Sequence, residues 1–380
     1  MSLPDFSQAS ARIDATIDKA LSEKRIVGTV VLIAYDGAII HRRSAGSLDR
    51  AIGTAMREDA IFRLASVTKP FVTAAAMRLV EEGKLNLHAP VTQWLPDFRP
   101  ALPDGTRPEI TIHHLLTHTS GLGYSFLEPT DGPYHKLNVS DGLDQPGLSL
   151  HENLSRLQAA PLAFAPGTGW RYSLGLDVLG GILEQLEGQS LSEIVRRKVT
   201  APLDLADADF SIRDASRLAV AYADSDPEPA AMTDGIKVPI FGTTASFAPS
   251  RILNSESYPS GGAGMAGTAG DVLRFLEAIR TGGTPILSTT TIETMAADHV
   301  GTQAETQGPG WGFGLGWAVL VDPAPTGTPQ APRTLQWGGA YGHNWFIDRA
   351  NGLSLVALTN TAFEGMSGAF PTEIRNAVYG

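Results

Sequence analysis

The pattern of apolar and polar positions predicts β-strands near both ends of the chain. Apolar residues recur every four positions between 9 and 24, which predicts an amphipathic first helix. Two β-rich runs, 28–35 and 38–43, flank Asp36-Gly37, a strong signal for a two-residue hairpin turn. Near the other end, the same kind of pattern predicts strands over 311–321, 334–337, 344–348 and 353–359, the last two joined by a turn at Asn351-Gly352.

Helical periodicity predicts three further elements. Positions 71–80 are apolar nearly all round, as expected of a helix that is buried in a core rather than laid on a surface. A helix with one apolar face is predicted over 269–280, and a last one near 372–378. The pattern shows no internal repeat and no low-complexity tract.

The middle of the chain has short helices and long loops. Segments 128–147 and 224–262 read as irregular, and long loops of this kind usually form walls or lids of functional sites. We expect the terminal strands to pair in one central antiparallel sheet flanked by helices, a mixed α+β or α/β fold with an inserted helical region. The predicted division is a sheet domain of 1–90 plus 255–380 and a mainly helical domain of 91–254, with a pocket where the two meet.

Composition narrows the class of protein. The 380 residues are 43% hydrophobic and 18% charged, as in a compact globular protein, and the net charge of −11 argues against nucleic acid or an anionic membrane as a partner. Because the chain has no cysteine, disulfides, thiolate metal sites and cysteine nucleophiles are excluded. Neither a signal peptide nor a membrane-spanning run is evident, so we expect a cytoplasmic protein that acts on a small molecule. The oligomeric state stays open.

The candidate chemistry begins with Ser66-Val67-Thr68-Lys69, placed just before the buried helix. Residues three apart at a helix start share a face, so the Lys69 amine can reach the Ser66 hydroxyl and take its proton if burial keeps the amine neutral. None of the other six lysines has a serine three residues before it. The alternative is that Ser66 only caps the helix and Lys69 points to solvent.

Two more segments offer groups that such a serine needs. Tyr172 follows a turn-rich approach, and a phenol can act as a general base if a nearby ammonium lowers its pKa; a packing role is the alternative. Trp337-Gly338-Gly339-Ala340 ends a predicted strand, where paired glycines let a ligand approach and an N–H of Ala340 could point at an oxyanion. The alternative for the glycines is a β-bulge.

Together these segments carry a family resemblance. Besides Tyr172-Ser173-Leu174 and Trp337-Gly338-Gly339, the supporting strings are FRLASVTKP at 62–70, IHHLLTHTSGL at 112–122 and YPSGGAGM at 258–265. The chain resembles the serine β-lactamase and penicillin-binding superfamily on the class C side, and within it the family VIII carboxylesterases, including those that deacetylate cephalosporins. The resemblance spans almost the whole chain and implies a β-lactamase-like fold.

The resemblance also implies roles for individual residues. Ser66 would be the acylated nucleophile of a serine ester hydrolase, with Lys69 and Tyr172 as its base system, the proton acceptor being left open between them. The backbone N–H groups of Ser66 and Ala340 would form the oxyanion hole. Substrate-binding residues would be Tyr124, Trp337, Gly338 and Gly339.

Departures from the superfamily pattern favour esters over lactams and peptides. The Lys-(Ser/Thr)-Gly strand of the lactamases is replaced by Trp337-Gly338-Gly339, and no lysine follows Lys237. Leu174 stands where the Tyr-x-Asn motif has its amide. We therefore expect hydrolysis of short-chain acyl esters; the alternatives are an acyltransferase of the same fold, a β-lactamase or D-amino-acid peptidase, and a non-catalytic penicillin-binding module.

Other signals are set aside. His113, His114 and His118 are spaced like metal ligands, but no Asp or Glu accompanies them as in a zinc hydrolase, so no metal is expected. His343 is expected at the pocket rim or in packing. There is no Gly-x-Ser-x-Gly elbow, phosphate loop or dinucleotide fingerprint, so neither an α/β-hydrolase nor an organic cofactor is expected.

Overall fold

A computed structural model describes residues 6–380 and contains one eight-stranded sheet with three two-stranded ribbons. The strands are β1 (Gly28–Tyr35), β2 (Ala38–Asp49), β3 (Thr54–Ala55), β4 (Phe62–Arg63), β5 (Tyr222–Ala223), β6 (Ala230–Ala231), β7 (Ile236–Ile240), β8 (Thr243–Phe247), β9 (Ala266–Gly267), β10 (Trp311–Phe313), β11 (Ala318–Leu320), β12 (Leu335–Gly339), β13 (His343–Asp348) and β14 (Leu353–Thr359). The large sheet has the order β10-β11-β12-β13-β14-β1-β2-β3.

Strands from both ends of the chain meet in the centre of this sheet. β1 pairs with β14 in an antiparallel register that runs from Thr29 opposite Thr359 to Tyr35 opposite Leu353. Every other neighbouring pair in the sheet is also antiparallel. Both central strands are buried, because helices cover the two faces of the sheet. The predicted central antiparallel sheet of terminal strands is confirmed.

Eleven α-helices surround the sheet within residues 6–380. They are α1 (Phe6–Ser22), α2 (Thr68–Glu81), α3 (Ile112–Leu116), α4 (Pro133–Lys136), α5 (Leu150–Ala159), α6 (Gly175–Glu187), α7 (Leu191–Val195), α8 (Ala269–Arg280), α9 (Thr289–Met295), α10 (Ala362–Ser367) and α11 (Ala369–Tyr379). α1 and α11 pack together on one face through Ile13, Ile17, Phe370 and Ile374. On the opposite face, α8 packs against β1 and β14. No helix in the described part is long and apolar enough to cross a membrane.

Helix α2 is the centre of the larger core. All of its residues from Thr68 to Met77, and Leu79, are buried, and Phe71 stacks on Phe275 of α8 with ring centroids 4.1 Å apart. A helix with so few polar positions is stable only where other elements enclose it. The prediction of a buried helix over 71–80 is confirmed, and α8 matches its predicted bounds.

Two of the predicted elements differ from the observed ones. The strand predicted over 311–321 is two short strands, β10 and β11, because the chain turns at Gly316. At φ +91° this turn suits glycine, and a Cβ there would lie 2.5 Å from Oγ1 of Thr73 in α2. Segment 224–262, predicted to be irregular, contains the hairpin β7–β8 and a 3₁₀ turn at Pro249–Leu253. Segment 128–147 holds only the short helix α4.

Candidate active site

The backbone around Ser66 is held in an unusual shape. Ala65 has φ +45°, a left-handed conformation that is uncommon for a residue with a Cβ, and a 3₁₀ turn at Ala65–Val67 leads directly into α2. The segment is fixed from outside by Met265, whose carbonyl accepts from the Leu64 N–H (2.8 Å) and whose N–H donates to Thr68 Oγ1 (3.0 Å). Ser66 therefore lies at a helix N-terminus, where free backbone N–H groups favour negative charge.

Lys69 and Tyr172 converge on the Ser66 hydroxyl. Lys69 Nζ lies 3.2 Å and the Tyr172 hydroxyl 2.6 Å from Ser66 Oγ, so both are within hydrogen-bond distance. The Lys69 amine also donates to the carbonyl of Gly262 at 2.8 Å. Lys69 has no solvent exposure, which excludes the alternative of a capping serine beside a solvent-facing lysine.

Burial determines the protonation states of Lys69 and Tyr172. It lowers the pKa of Lys69 to about 7, although the carboxyls of Asp177 and Asp141 oppose the shift. A large part of the Lys69 population is then a neutral amine near neutral pH and can accept a proton. Burial also raises the pKa of Tyr172, so the lowered phenol pKa that would make Tyr172 a base is not found. Tyr172 is a neutral donor, and the Trp337 indole N–H lies 3.3 Å from its oxygen.

The second wall of the site comes from the end of β12. Ala340 follows this strand and borders the same cavity as Ser66. Its backbone N–H donates to no acceptor among residues 6–380, so it is available to an incoming oxygen. Gly339 packs behind it: a Cβ on Gly339 would lie 2.4 Å from the carbonyl oxygen of Leu64. The glycine thus allows β12 to approach the backbone that carries Ser66.

Ser66 opens into a mainly apolar cavity of about 520 Å³. This is the size range of a small-molecule site. Its side-chain walls include Tyr124, Phe126, Leu127, Asp141, Leu143, Trp170, Arg171, Tyr172, Ile240, Phe241, Trp337, Asn344, Phe363 and Met366. Among the predicted substrate-binding residues, Tyr124, Trp337 and Gly338 line the cavity. Gly339 does not, because it faces Leu64 and Val67 instead.

Sequence reasoning missed the buried carboxyl beside Lys69. Asp177 lies in the first turn of α6 and is 1% exposed. A Cβ built on Gly262 would lie 2.6 Å from Asp177 Oδ2 and 3.5 Å from Lys69 Nζ, which places the two charged groups around the same glycine. Burial raises the pKa of Asp177 and the neighbouring Lys69 ammonium opposes that rise. An acidic residue five positions after Tyr172, followed by six apolar residues, was the available signal.

The histidines set aside by sequence serve structure. His343 is buried at the start of β13, and its Nε2 lies 2.7 Å from the carbonyl oxygen of Arg63. It therefore packs β13 against β4. His118 is fully buried against Tyr172 and bonds through Nδ1 to Ser173 Oγ at 3.0 Å. His113 pairs with His299 at 3.2 Å. Among residues 6–380 no group of three or more histidine and acidic side chains is placed to hold a metal ion.

Comparison with known proteins places this geometry. Residues 13–378 match the family model described as Beta-lactamase. Esterase EstB of Burkholderia gladioli is 54% identical over 378 residues, which cover 99% of this chain and 96% of that protein.

Solved structures agree with these matches. EstCE1, described as a hydrolase with promiscuous acyltransferase activity, superposes with a TM-score of 0.97 at 49% identity and 99% coverage of both chains. The simvastatin synthase LovD of Aspergillus terreus has the same fold, with a TM-score of 0.77 at 22% identity and 98% coverage of both chains.

Proposed function

The chain belongs to the Beta-lactamase family and is a serine carboxylic ester hydrolase, and on that premise we propose that it cleaves short-chain acyl esters through an acyl-enzyme on Ser66. The observation that carries the proposal is the convergence of Lys69 Nζ and the Tyr172 hydroxyl on Ser66 Oγ, at 3.2 and 2.6 Å. A serine hydroxyl becomes a useful nucleophile only with an adjacent base, and a buried, neutral Lys69 supplies one.

Acylation follows from this arrangement. Ser66 Oγ attacks the ester carbonyl while its proton passes to the neutral Lys69 amine. The carbonyl oxygen becomes an oxyanion and accepts from the N–H groups of Ser66 and Ala340, at a helix N-terminus that favours negative charge. As the tetrahedral intermediate collapses, Tyr172 donates its proton to the departing alkoxide and is reprotonated from Lys69. Water then enters, and the same groups release the acid and restore Ser66.

The cavity supports a preference for small acyl groups. Bulky rings of Tyr124, Phe126, Trp170 and Trp337 form much of the wall of this partly open cavity of about 520 Å³, and we expect them to limit the space for an acyl chain beside Ser66. Acetyl to about hexanoyl esters are the expected substrates, and long-chain triglycerides are expected to be poor ones.

Transfer of the acyl group to an alcohol is a second candidate activity. The 49% identity to EstCE1, described as having acyltransferase activity, favours it. The mainly apolar wall supports it as well, since an alcohol can then compete with water for the acyl-enzyme. Product analysis of p-nitrophenyl acetate turnover with added butanol separates the two activities: butyl acetate forms only if transfer occurs.

The proposed function is tested by steady-state turnover of p-nitrophenyl esters of graded chain length. We expect turnover that is greatest for short acyl groups and is abolished by Ser66→Ala. A fluorophosphonate probe should label one site, and peptide mapping should place it on Ser66. A burst without turnover would indicate a non-catalytic penicillin-binding module, and labelling elsewhere with activity retained in Ser66→Ala would overturn the assignment. A cytoplasmic location and the absence of nucleic-acid and membrane partners stay predictions.

A further inference from the structure

The turn of the β7–β8 hairpin contains a phenylalanine, Phe241, in a backbone conformation that disfavours bulky residues. Ile240 pairs with Thr243, so the turn consists of Phe241 and Gly242 alone. Both have positive φ, 48° and 78°, which defines a type I′ turn. Asn-Gly is the favoured pair in this turn, because asparagine tolerates the left-handed region and a bulky residue does not.

Phe241 is also unfavourable for its solvent exposure. It is 70% exposed, one of the few large apolar side chains on the surface of residues 6–380. A single exposed apolar residue is ordinary, but this one combines exposure with a strained backbone. Neither the turn nor the core gains from a phenylalanine here.

The hairpin that carries Phe241 is held both beside its tip and at its base. Thr243 Oγ1 donates to the carbonyl of Phe126, another cavity residue. Phe247 at the end of β8 is fully buried, with its ring centroid 5.0 Å from that of Tyr341 and 5.9 Å from that of Phe363. The hairpin is therefore anchored in the core at one end, and its tip borders the cavity that contains Ser66.

From these observations we propose that Phe241 is a specificity-determining residue that packs against the apolar part of a bound ester at the cavity mouth. The inference rests on the proposed function, since it assumes an ester acylating Ser66. Ile240, Phe241 and Ala245 form an apolar strip on this wall, and Phe241 is its most solvent-exposed member. A substrate large enough to reach the strip would bury the ring, whereas an acetyl ester of a small alcohol would not.

Phe241→Asn tests the proposal because its expected effects on stability and on activity differ in direction. The turn should become more favourable, so the Tm should stay the same or rise. At the same time kcat/KM should fall about tenfold for esters that reach the strip and change less than about twofold for methyl acetate. The esters form two series, p-nitrophenyl acyl chains of two to eight carbons and acetates of one- to eight-carbon alcohols, so that a contact on either side of the ester is detected.

Matched variants separate the contact from other causes. Phe241→Leu keeps an apolar side chain and should retain most of the kcat/KM for esters that reach the strip. Phe241→Gly, which also fits a positive φ, should lose this activity as Phe241→Asn does. Ile52→Asn removes another exposed apolar residue (77% exposed), outside the cavity wall, and should leave both series unchanged. Length profiles of Phe241→Asn and Phe241→Gly that run parallel to wild type in both series would overturn the proposal. No turnover of any ester by the wild-type protein would instead overturn the proposed function.

Discussion

Lys69 is the residue on which the proposed mechanism depends most. An ammonium buried without solvent contact is costly, and the protein lowers this cost by lowering the pKa of Lys69 to about 7. Two buried carboxyls, Asp177 and Asp141, limit that shift. In the proposed mechanism this limit is useful, because an amine that accepts a proton from Ser66 has to hold it until the leaving group takes a proton.

This balance predicts the effect of Asp177→Asn on the pH profile. Removing the negative charge should lower the Lys69 pKa, and the neutral amine would then persist to lower pH. The acid limb of kcat/KM for p-nitrophenyl acetate, expected near pH 7 in the wild type, should therefore move down by about one pH unit. Asp141→Asn, the second carboxyl, should cause a smaller shift in the same direction. An acid limb that stays in place in both variants would show that Lys69 is not the titrating base.

Residue types and spacing were enough to single out Ser66, Lys69 and Tyr172, which the structure brings together; their catalytic roles stay predictions. The same reasoning could not find Asp177. Its importance comes from lying beside Gly262 together with Lys69, and local spacing does not encode this meeting of α6, α2 and a distant loop. It also gave Tyr172 a possible role as base, whereas burial raises the pKa of its phenol.

At the scale of elements, the site depends on how closely β12 approaches the turn before α2. A Cβ on Gly339 would lie only 2.4 Å from the carbonyl oxygen of Leu64. Neither atom could move aside by a side-chain rotation, because the oxygen belongs to the backbone and the Cβ is bonded to it. A side chain there would push the strand away and move the Ala340 N–H from Ser66. An oxyanion donor loses most of its value when it is displaced from the developing charge.

Gly339→Ala is therefore expected to lower kcat for p-nitrophenyl acetate about a hundredfold. The strain should also lower the free energy of unfolding by about 1–3 kcal/mol, measured by urea denaturation. Gly270→Ala is the control, since a Cβ there meets only Thr268 Oγ1 at 3.7 Å and should leave both values nearly unchanged. If Gly339→Ala unfolds more easily but keeps its kcat, the Ala340 N–H is not part of an oxyanion hole.

Most elements follow from local pattern, and the exceptions have physical causes. β14 and α8 have the predicted bounds because each has a clear period and a clear end. The β7–β8 hairpin escaped prediction because its turn, Phe241-Gly242, lacks the residue that marks a type I′ turn. The break between β10 and β11 is set by the contact of Gly316 with α2, which lies far away in sequence.

At the scale of the whole molecule, the cavity combines segments that are widely separated along the chain. Ser66 comes from the 3₁₀ turn before α2, and Tyr124 and Tyr172 from the middle of the chain. Ile240 and Phe241 come from the β7–β8 hairpin, and Trp337 from the C-terminal strands. The fold and the meeting of the two terminal strand groups could be predicted. The shape of the cavity could not, because it depends on how loops without periodicity pack.

The completed cavity determines how an acetoxymethyl cephalosporin should react. Such a molecule offers two carbonyls, the strained lactam and the acetyl ester. Opening the lactam productively requires a partner for the ring carboxylate. Trp337 stands where the lactamases have their lysine strand, and Leu174, at the position of the missing amide, is fully buried. Arg171 has the one guanidinium in the described cavity wall. It is turned to Glu128 (3.7 Å) and the Leu127 carbonyl (3.3 Å). Burying the carboxylate unpaired would cost several kcal/mol.

We therefore predict that cephalothin loses acetate while its lactam ring stays closed. The acetyl ester requires only Ser66, its base and two N–H donors, and its cleavage needs no partner for the ring carboxylate. Lactam opening can expel the 3′-acetate and give a product of the same mass as deacetylation, so carbon NMR is the measurement. Deacetylation keeps the lactam carbonyl signal and produces a hydroxymethyl group, whereas ring opening removes the lactam carbonyl signal. Ser66→Ala should abolish both reactions. If ring opening is the main product of the wild-type protein, a cationic partner reaches the carboxylate, and Arg171→Gln would then be expected to suppress it.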